Sequence, residues 1–203
     1  VYILGLSLGT SLAPIVGAEQ NIKGYMVSGG STVTWYEHML EFERNRLTLS
    51  GTSPSAVNES MKSFSDFYTK YLIHKKTPEQ IIKSNARYGD LWYDDPRHQF
   101  GRSAEYYQQI QELNFEKVWA DVDVPVLAIY GEYDWVMSLR DHQRIVDLVN
   151  KNLKVAELIV LPKTNHLLSS FGNPKEAFED ETGRINTAGY SKMWYWLKQK
   201  IGD

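Results

Sequence analysis

The chain has 203 residues, 42% of them hydrophobic and 23% charged, with 22 Lys plus Arg against 25 Asp plus Glu for a formal net charge of -3. These values suit one globular α/β domain carrying an insertion and exclude a disordered or fibrous chain. The charges are interspersed without a basic block, which excludes a nucleic-acid footprint, and no apolar run approaches the ~20 residues that span a bilayer. The absence of cysteine rules out disulfide scaffolds, thiolate metal sites and cysteine nucleophiles.

Val1-Tyr2-Ile3-Leu4 is an apolar, β-prone run that begins at once, so the sequence reads as opening inside a strand. A secretory leader cannot be judged from such a start, and the compartment is left open. Leu8 to Ala18 reads as a small-residue helix after a Gly-flanked turn, and Ile22 to Val27 as a second strand closed by Ser28-Gly29-Gly30-Ser31. Strand, helix, strand implies two parallel strands with a crossover. From about Thr32 to Ala120 the pattern turns helical and aromatic, predicting an inserted helical cap over 32–119 between core segments 1–31 and 120–203. Within it, helices are predicted over Trp35 to Leu49, Ser55 to His74, from Thr77-Pro78, and from Ser103 through about Val118, with a loop over Tyr88 to Gly101. Alternation then resumes: Val124 to Tyr130 is apolar throughout, as a parallel strand covered on both faces should be. A helix over Leu139 to Asn150, a strand over Val155 to Leu161 and a last helix over Ser191 to Ile201 follow.

Gly5-Leu6-Ser7-Leu8-Gly9 is a GxSxG pentapeptide set between an apolar strand and a helix. Such a turn is strained and leaves the serine hydroxyl exposed; the glycines two before and two after it are expected where other backbone comes close. The Leu8 amide opens the helix, where unpaired N–H groups favour negative charge. Asp134 ends Gly131-Glu132-Tyr133-Asp134, directly after the Val124 to Tyr130 strand, and His166 ends Lys163-Thr164-Asn165-His166 after the next strand. All three residues therefore belong to the carboxyl-terminal rim of one sheet, where the sites of open α/β sheets lie.

In these motifs, and in the order Ser7, Asp134, His166, the chain resembles the carboxyl-terminal portion of an α/β-hydrolase fold serine hydrolase with a helical cap inserted. The resemblance implies a parallel-sheet α/β-hydrolase core lacking its amino-terminal strands. It also implies that Ser7 attacks the carbonyl of a small carboxylic ester or an amide or peptide, that His166 carries the proton, and that Asp134 orients the imidazole. Leu8 would serve the oxyanion, Trp135 a pocket wall, and the cap a lid. Neither a cofactor nor a metal is required. The strands that precede the elbow in the family, with their second oxyanion amide, have no counterpart in this sequence. An interior first strand is therefore expected to meet a missing amino-terminal segment or a strand from a partner chain, and the isolated chain to be poorly active. The rival reading is a non-catalytic binding or assembly module, or an inactive fragment of the same fold.

Other candidates read more blandly. His38, His74, His98 and His142 are expected as surface or packing residues. Asp94, Asp95 and His98 lack the ordered spacing of metal ligands and read as a solvated loop. Asp121 and Asp123 read as turn residues, and Glu132, which could substitute for Asp134 as the acid, is the disfavoured choice of the two. Trp35, Tyr36, Phe64, Tyr68, Trp92, Tyr106 and Tyr107 are expected to form the cap's own core, and Trp194, Tyr195 and Trp196 to pack the last helix on the sheet.

Overall fold

The computed structural model describes residues 1–151, 154–180 and 182–202. In chain order the elements are β1 (Tyr2–Leu6), α1 (Leu8–Gly17), β2 (Gly24–Ser28), α2 (Trp35–Leu49), α3 (Pro54–Tyr68), a π-turn (Thr69–Ile73), α4 (Pro78–Ser84), a 3-10 turn (Ala86–Leu91), β3 (His98–Gln99), β4 (Arg102–Ser103), α5 (Ala104–Ile110), α6 (Phe115–Ala120), β5 (Val126–Gly131), α7 (Leu139–Asn150), β6 (Ala156–Leu161), β7 (Ser169–Ser170), α8 (Pro174–Glu179), β8 (Arg184–Ile185) and α9 (Thr187–Ile201). They form two compact units, Val1–Thr32 with Phe115–Asp203, and Val33–Asn114.

The first unit is built on a four-stranded parallel sheet in the order β1-β2-β5-β6. Period-two alternation sends successive side chains to opposite faces. Tyr25, Val27, Val126 and Ala128 pack with Ala13 of α1, Trp119 of α6 and Ile145, Val146 and Val149 of α7. Met26, Leu127, Ile129 and Leu161 pack instead with Leu168 and with Met193 and Trp196 of α9. Helices thus cover both faces, which is why β2 and β5 read as unbroken apolar runs. Among the described residues β1 pairs with β2 alone, and Leu4 and Leu6 are 50% and 48% exposed, so an apolar strand stands at the edge of the sheet.

Helix α9 begins earlier than its periodicity suggests, because the Asn186 side chain accepts from the Gly189 N–H and caps it. Its three consecutive aromatics do not all face the sheet. Trp196 is buried, whereas Trp194 and Tyr195 are 58% and 65% exposed, since neighbours on a helix are turned about 100° from one another.

The second unit is helical. Thr34 and Thr77 start α2 and α4 with reciprocal capping boxes to Glu37 and Gln80. Trp35 stacks on Tyr107 with ring centres 4.8 Å apart, Phe67 stacks on Trp92 at 5.3 Å, and Trp35, Phe64, Tyr68 and Tyr107 are buried. Tyr36, Trp92 and Tyr106 lie at its half-buried margin. His38 is buried against Trp35, with ring centres 4.8 Å apart. The segment predicted as one helix from Ser103 to Val118 is two, α5 and α6. The Lys75 ammonium takes the Gln108 carbonyl at 3.0 Å, and the chain tightens into i to i+3 bonds from Glu112 N and Leu113 N before α6 begins.

Candidate active site

Ser7 caps α1 at φ 52° and ψ -132°, a left-handed conformation unusual for a residue with a Cβ. The strain is held by bonds on both sides of the turn. Ser7 N donates to the Ser28 carbonyl at 2.8 Å, and Thr10 N donates to the Ser7 carbonyl at 2.9 Å. The buried Thr10 hydroxyl lies 2.8 Å from the Ser28 carbonyl and 3.0 Å from that of Gly5, lashing the turn to β2. A methyl group at Gly5 would stand 2.8 Å from the Gly9 carbonyl oxygen, so the strand-to-helix turn closes only over a glycine there. Gly9 does not share this constraint: a methyl group at that position meets nothing within 4 Å. The expectation of close backbone approach thus holds at Gly5 and fails at Gly9.

Asp134 follows β5, and its buried carboxylate is divided between two tasks. Oδ1 accepts from the N–H groups of Val136 and Met137, both at 2.9 Å, which leaves Oδ2 facing His166 Nδ1 at 2.9 Å. His166 Nε2 in turn lies 2.9 Å from Ser7 Oγ. Because Nδ1 faces a carboxylate, it carries the ring proton, and Nε2 presents its lone pair to the serine hydroxyl. The loop bearing His166 is fixed by Asn165, whose side-chain oxygen accepts from Leu167 N and Ser169 N, each at 3.0 Å, and by Asn186, which donates to the Thr164 hydroxyl at 2.7 Å. Residues from three strand ends, 159 positions apart at the extreme, are therefore joined in one hydrogen-bonded line.

The remaining predicted residues fall in different places. Leu8 is the first residue of α1, so its amide is among those a helix leaves without an internal acceptor. Trp135 packs edge to face on Phe178, ring centres 5.0 Å apart. Asp134, not Glu132, meets His166; the Glu132 carboxylate accepts from Lys163 N at 2.8 Å and staples the ends of β5 and β6 together. Asp95 accepts from the backbone and guanidinium of Arg97, and His98 Nδ1 lies 3.4 Å from it. Among the described residues no group of three or more His, Asp or Glu stands ready to hold a metal ion. A cleft of about 710 Å³ lies at the opposite ends of the strands, among Ile22, Tyr25, Lys117 and Val124, and takes no part in this arrangement.

Two residues at the same rim are read from the sequence only as a strand-ending glycine and a surface or packing histidine. Gly29, at φ 70°, follows β2, and His142 of α7 is fully buried with its Nε2 accepting from Gly29 N at 2.9 Å. The sequence signal for Gly29 was the Ser28-Gly29-Gly30-Ser31 cluster, which sits at a strand's carboxyl end just as Asp134 and His166 do. His142 carried no such signal, because it lies within an amphipathic helix.

No family model matches the chain, and no curated protein sequence matches it significantly. The structure is nevertheless similar to that of BpoC from Mycobacterium tuberculosis, with a TM-score of 0.50 at 14% identity over 98% of this chain and 67% of that one. It is similar to a thermophilic esterase from Thermogutta terrifontis, with a TM-score of 0.50 at 13% identity over 98% of this chain and 65% of that one. Est1E from Butyrivibrio proteoclasticus likewise gives a TM-score of 0.50 at 13% identity, over 100% of this chain and 61% of that one. The chain has the α/β-hydrolase fold. It spans about two thirds of the length of these neighbours.

Proposed function

We propose that the protein is a serine hydrolase that cleaves a carboxylic ester or amide through an acyl-enzyme. The observation that carries this reading is the line Asp134 Oδ2, His166 Nδ1, His166 Nε2, Ser7 Oγ, with 2.9 Å at each junction and the serine on a left-handed turn. Ser7 Oγ attacks the substrate carbonyl carbon as His166 Nε2 takes its proton, and Asp134 Oδ2 stabilises the imidazolium that results. The carbonyl oxygen, now negative, is received by the Leu8 N–H at the start of α1, where the helix dipole favours an anion. Collapse of this intermediate expels the alcohol or amine, which takes the proton back from His166. Water then enters, His166 removes its proton, and the acyl group leaves Ser7 as a carboxylic acid. In the same reading Trp135 walls the substrate site. Esters are the substrates to try first, since one of the three structural neighbours is named as an esterase.

Turnover of p-nitrophenyl acetate tests the reading. Ser7→Ala is expected to abolish it, on the order of a 10⁴-fold loss or more, because the nucleophile acts as one unit with its base. Hydrolysis by Ser7→Ala at the wild-type rate would overturn the proposal, and binding of the ester without turnover by the wild type would favour a non-catalytic module.

A further inference from the structure

His142 occupies a position with no room for a second proton. Its side chain is fully buried, and Nδ1 lies 2.7 Å from the Ser138 carbonyl oxygen. A carbonyl only accepts, so Nδ1 carries the hydrogen and Nε2 is left with a lone pair, which receives the Gly29 N–H at 2.9 Å. One tautomer satisfies both neighbours, and the imidazolium satisfies only one. Burial also pushes the His142 pKa below its ordinary value; the Ser138 carbonyl and the Asp134 and Asp141 carboxylates oppose this, and His166 adds to it. The Tyr130 ring, 5.1 Å away between centres, completes the wall.

What His142 holds is more telling than how it is held. Gly29 stands at φ 70°, and a methyl group there would lie 2.5 Å from Cε1 and 2.9 Å from Nδ1 of His166. The α-carbon of Gly29 is therefore the floor on which the His166 ring rests. The preceding residue, Ser28, accepts from Ser7 N. Two consecutive residues at the end of β2 thus set the positions of the serine and of the imidazole, and the second of them is anchored by a buried histidine from another element.

We propose that His142 is a positioning residue for the reaction, fixing the Gly29 peptide so that His166 stays within hydrogen-bonding reach of Ser7. The inference rests on the serine hydrolase reading above. His142 touches neither substrate nor the reacting atoms, so removing its acceptor should lower kcat and leave KM where it is. A bland core histidine would instead move the melting temperature alone.

The test compares wild type with His142→Leu, which keeps the volume and loses the acceptor, and His142→Gln, whose amide oxygen can accept from Gly29 N. Each is assayed for kcat and KM with p-nitrophenyl acetate, for the rate of fluorophosphonate labelling, and for melting temperature by circular dichroism. Small displacements of a catalytic group cost up to about 100-fold, so His142→Leu should lose between about 10- and 100-fold in kcat and in labelling rate at unchanged KM. His142→Gln should recover most of that loss. If the leucine chain does not fold, His142→Asn, too short to reach Gly29, should show the same fall in kcat. Wild type labelled on Ser7 together with His142→Leu or His142→Asn labelled equally fast would overturn the positioning role alone; a wild type not labelled on Ser7 would remove the hydrolase reading beneath it.

Discussion

The two units bury polar groups to different ends. In the helical unit, Arg46 meets the fully buried Glu43 carboxylate through Nε at 2.8 Å and Nη2 at 2.7 Å, and the Tyr68 and Tyr93 hydroxyls donate at 3.2 and 3.3 Å. Burial pushes the Glu43 pKa up, and the Arg46 charge pulls it back. In the sheet unit, Asp134 is also buried, but it accepts two backbone N–H groups through one oxygen and spends the other on an imidazole whose far nitrogen faces an exposed serine hydroxyl. Both networks reach the surface, the first through Arg46 and the exposed Tyr93, the second through Ser7; under the proposed function the difference lies in the partner, a guanidinium that keeps its charge or an imidazole that can pass a proton on.

This contrast can be broken from both sides. The largest expected effect is on rate: Asp134→Asn should lower ester turnover by about 10⁴-fold, because the wrong tautomer of His166 is then favoured. Its melting temperature should change little. Glu43→Ala should do the reverse, costing roughly 3 kcal/mol of stability by stranding Arg46 and two tyrosines, with kcat of the folded chain unaltered. Denaturant unfolding and steady-state kinetics on both variants check the pair; a loss of turnover at Glu43 equal to that at Asp134 would erase the distinction.

A smaller effect separates the two glycines of the elbow. Gly5→Ala drives a methyl group into the Gly9 carbonyl and should cost about 1–3 kcal/mol, as overpacking does. Gly9→Ala meets open space inside a helix and should be neutral or stabilising by up to about 1 kcal/mol. Equal destabilisation by the two would show that the turn is held in some other way.

The smallest effect is a pH slope. The folded-state pKa of His142 is lowered, so between that value and the ordinary histidine pKa of about 6.5 the unfolded chain binds the proton more readily than the folded one. Stability from this group is complete above the ordinary value and falls as pH drops through the window. Melting temperatures at pH 7.5 and 5.5 should therefore differ less in His142→Gln than in wild type; an unchanged difference would assign the slope to other groups.

Much of the sheet unit was legible because its physics is local. Parallel strands covered on both faces are continuous apolar runs, and Val126–Gly131 and Ala156–Leu161 lie within a residue or two of their expected bounds. Helices α2 and α7 match their expected bounds, each with a Ser or Thr cap at its start. The pair β7 and β8 with α8 between them was not legible. These are short polar segments without periodicity, knitted by bonds such as Asn186 N to the Leu168 carbonyl and Phe171 N to that of Lys163. At the split between α5 and α6 the Gln108 carbonyl is taken by Lys75, some 30 residues earlier, a contact that no window around the break contains. At the site, Ser7, Asp134 and His166 could be named because motif and strand end coincide. His142 could not, because its place beside them comes from its bond to Gly29, a residue 113 positions away in the chain.

The most direct test of the central claim is to treat the protein with a fluorophosphonate and locate the adduct by mass spectrometry of its peptides. The account predicts a single phosphonylated residue, Ser7, and no adduct in Ser7→Ala. An adduct on another serine, or one that survives in Ser7→Ala, would contradict it.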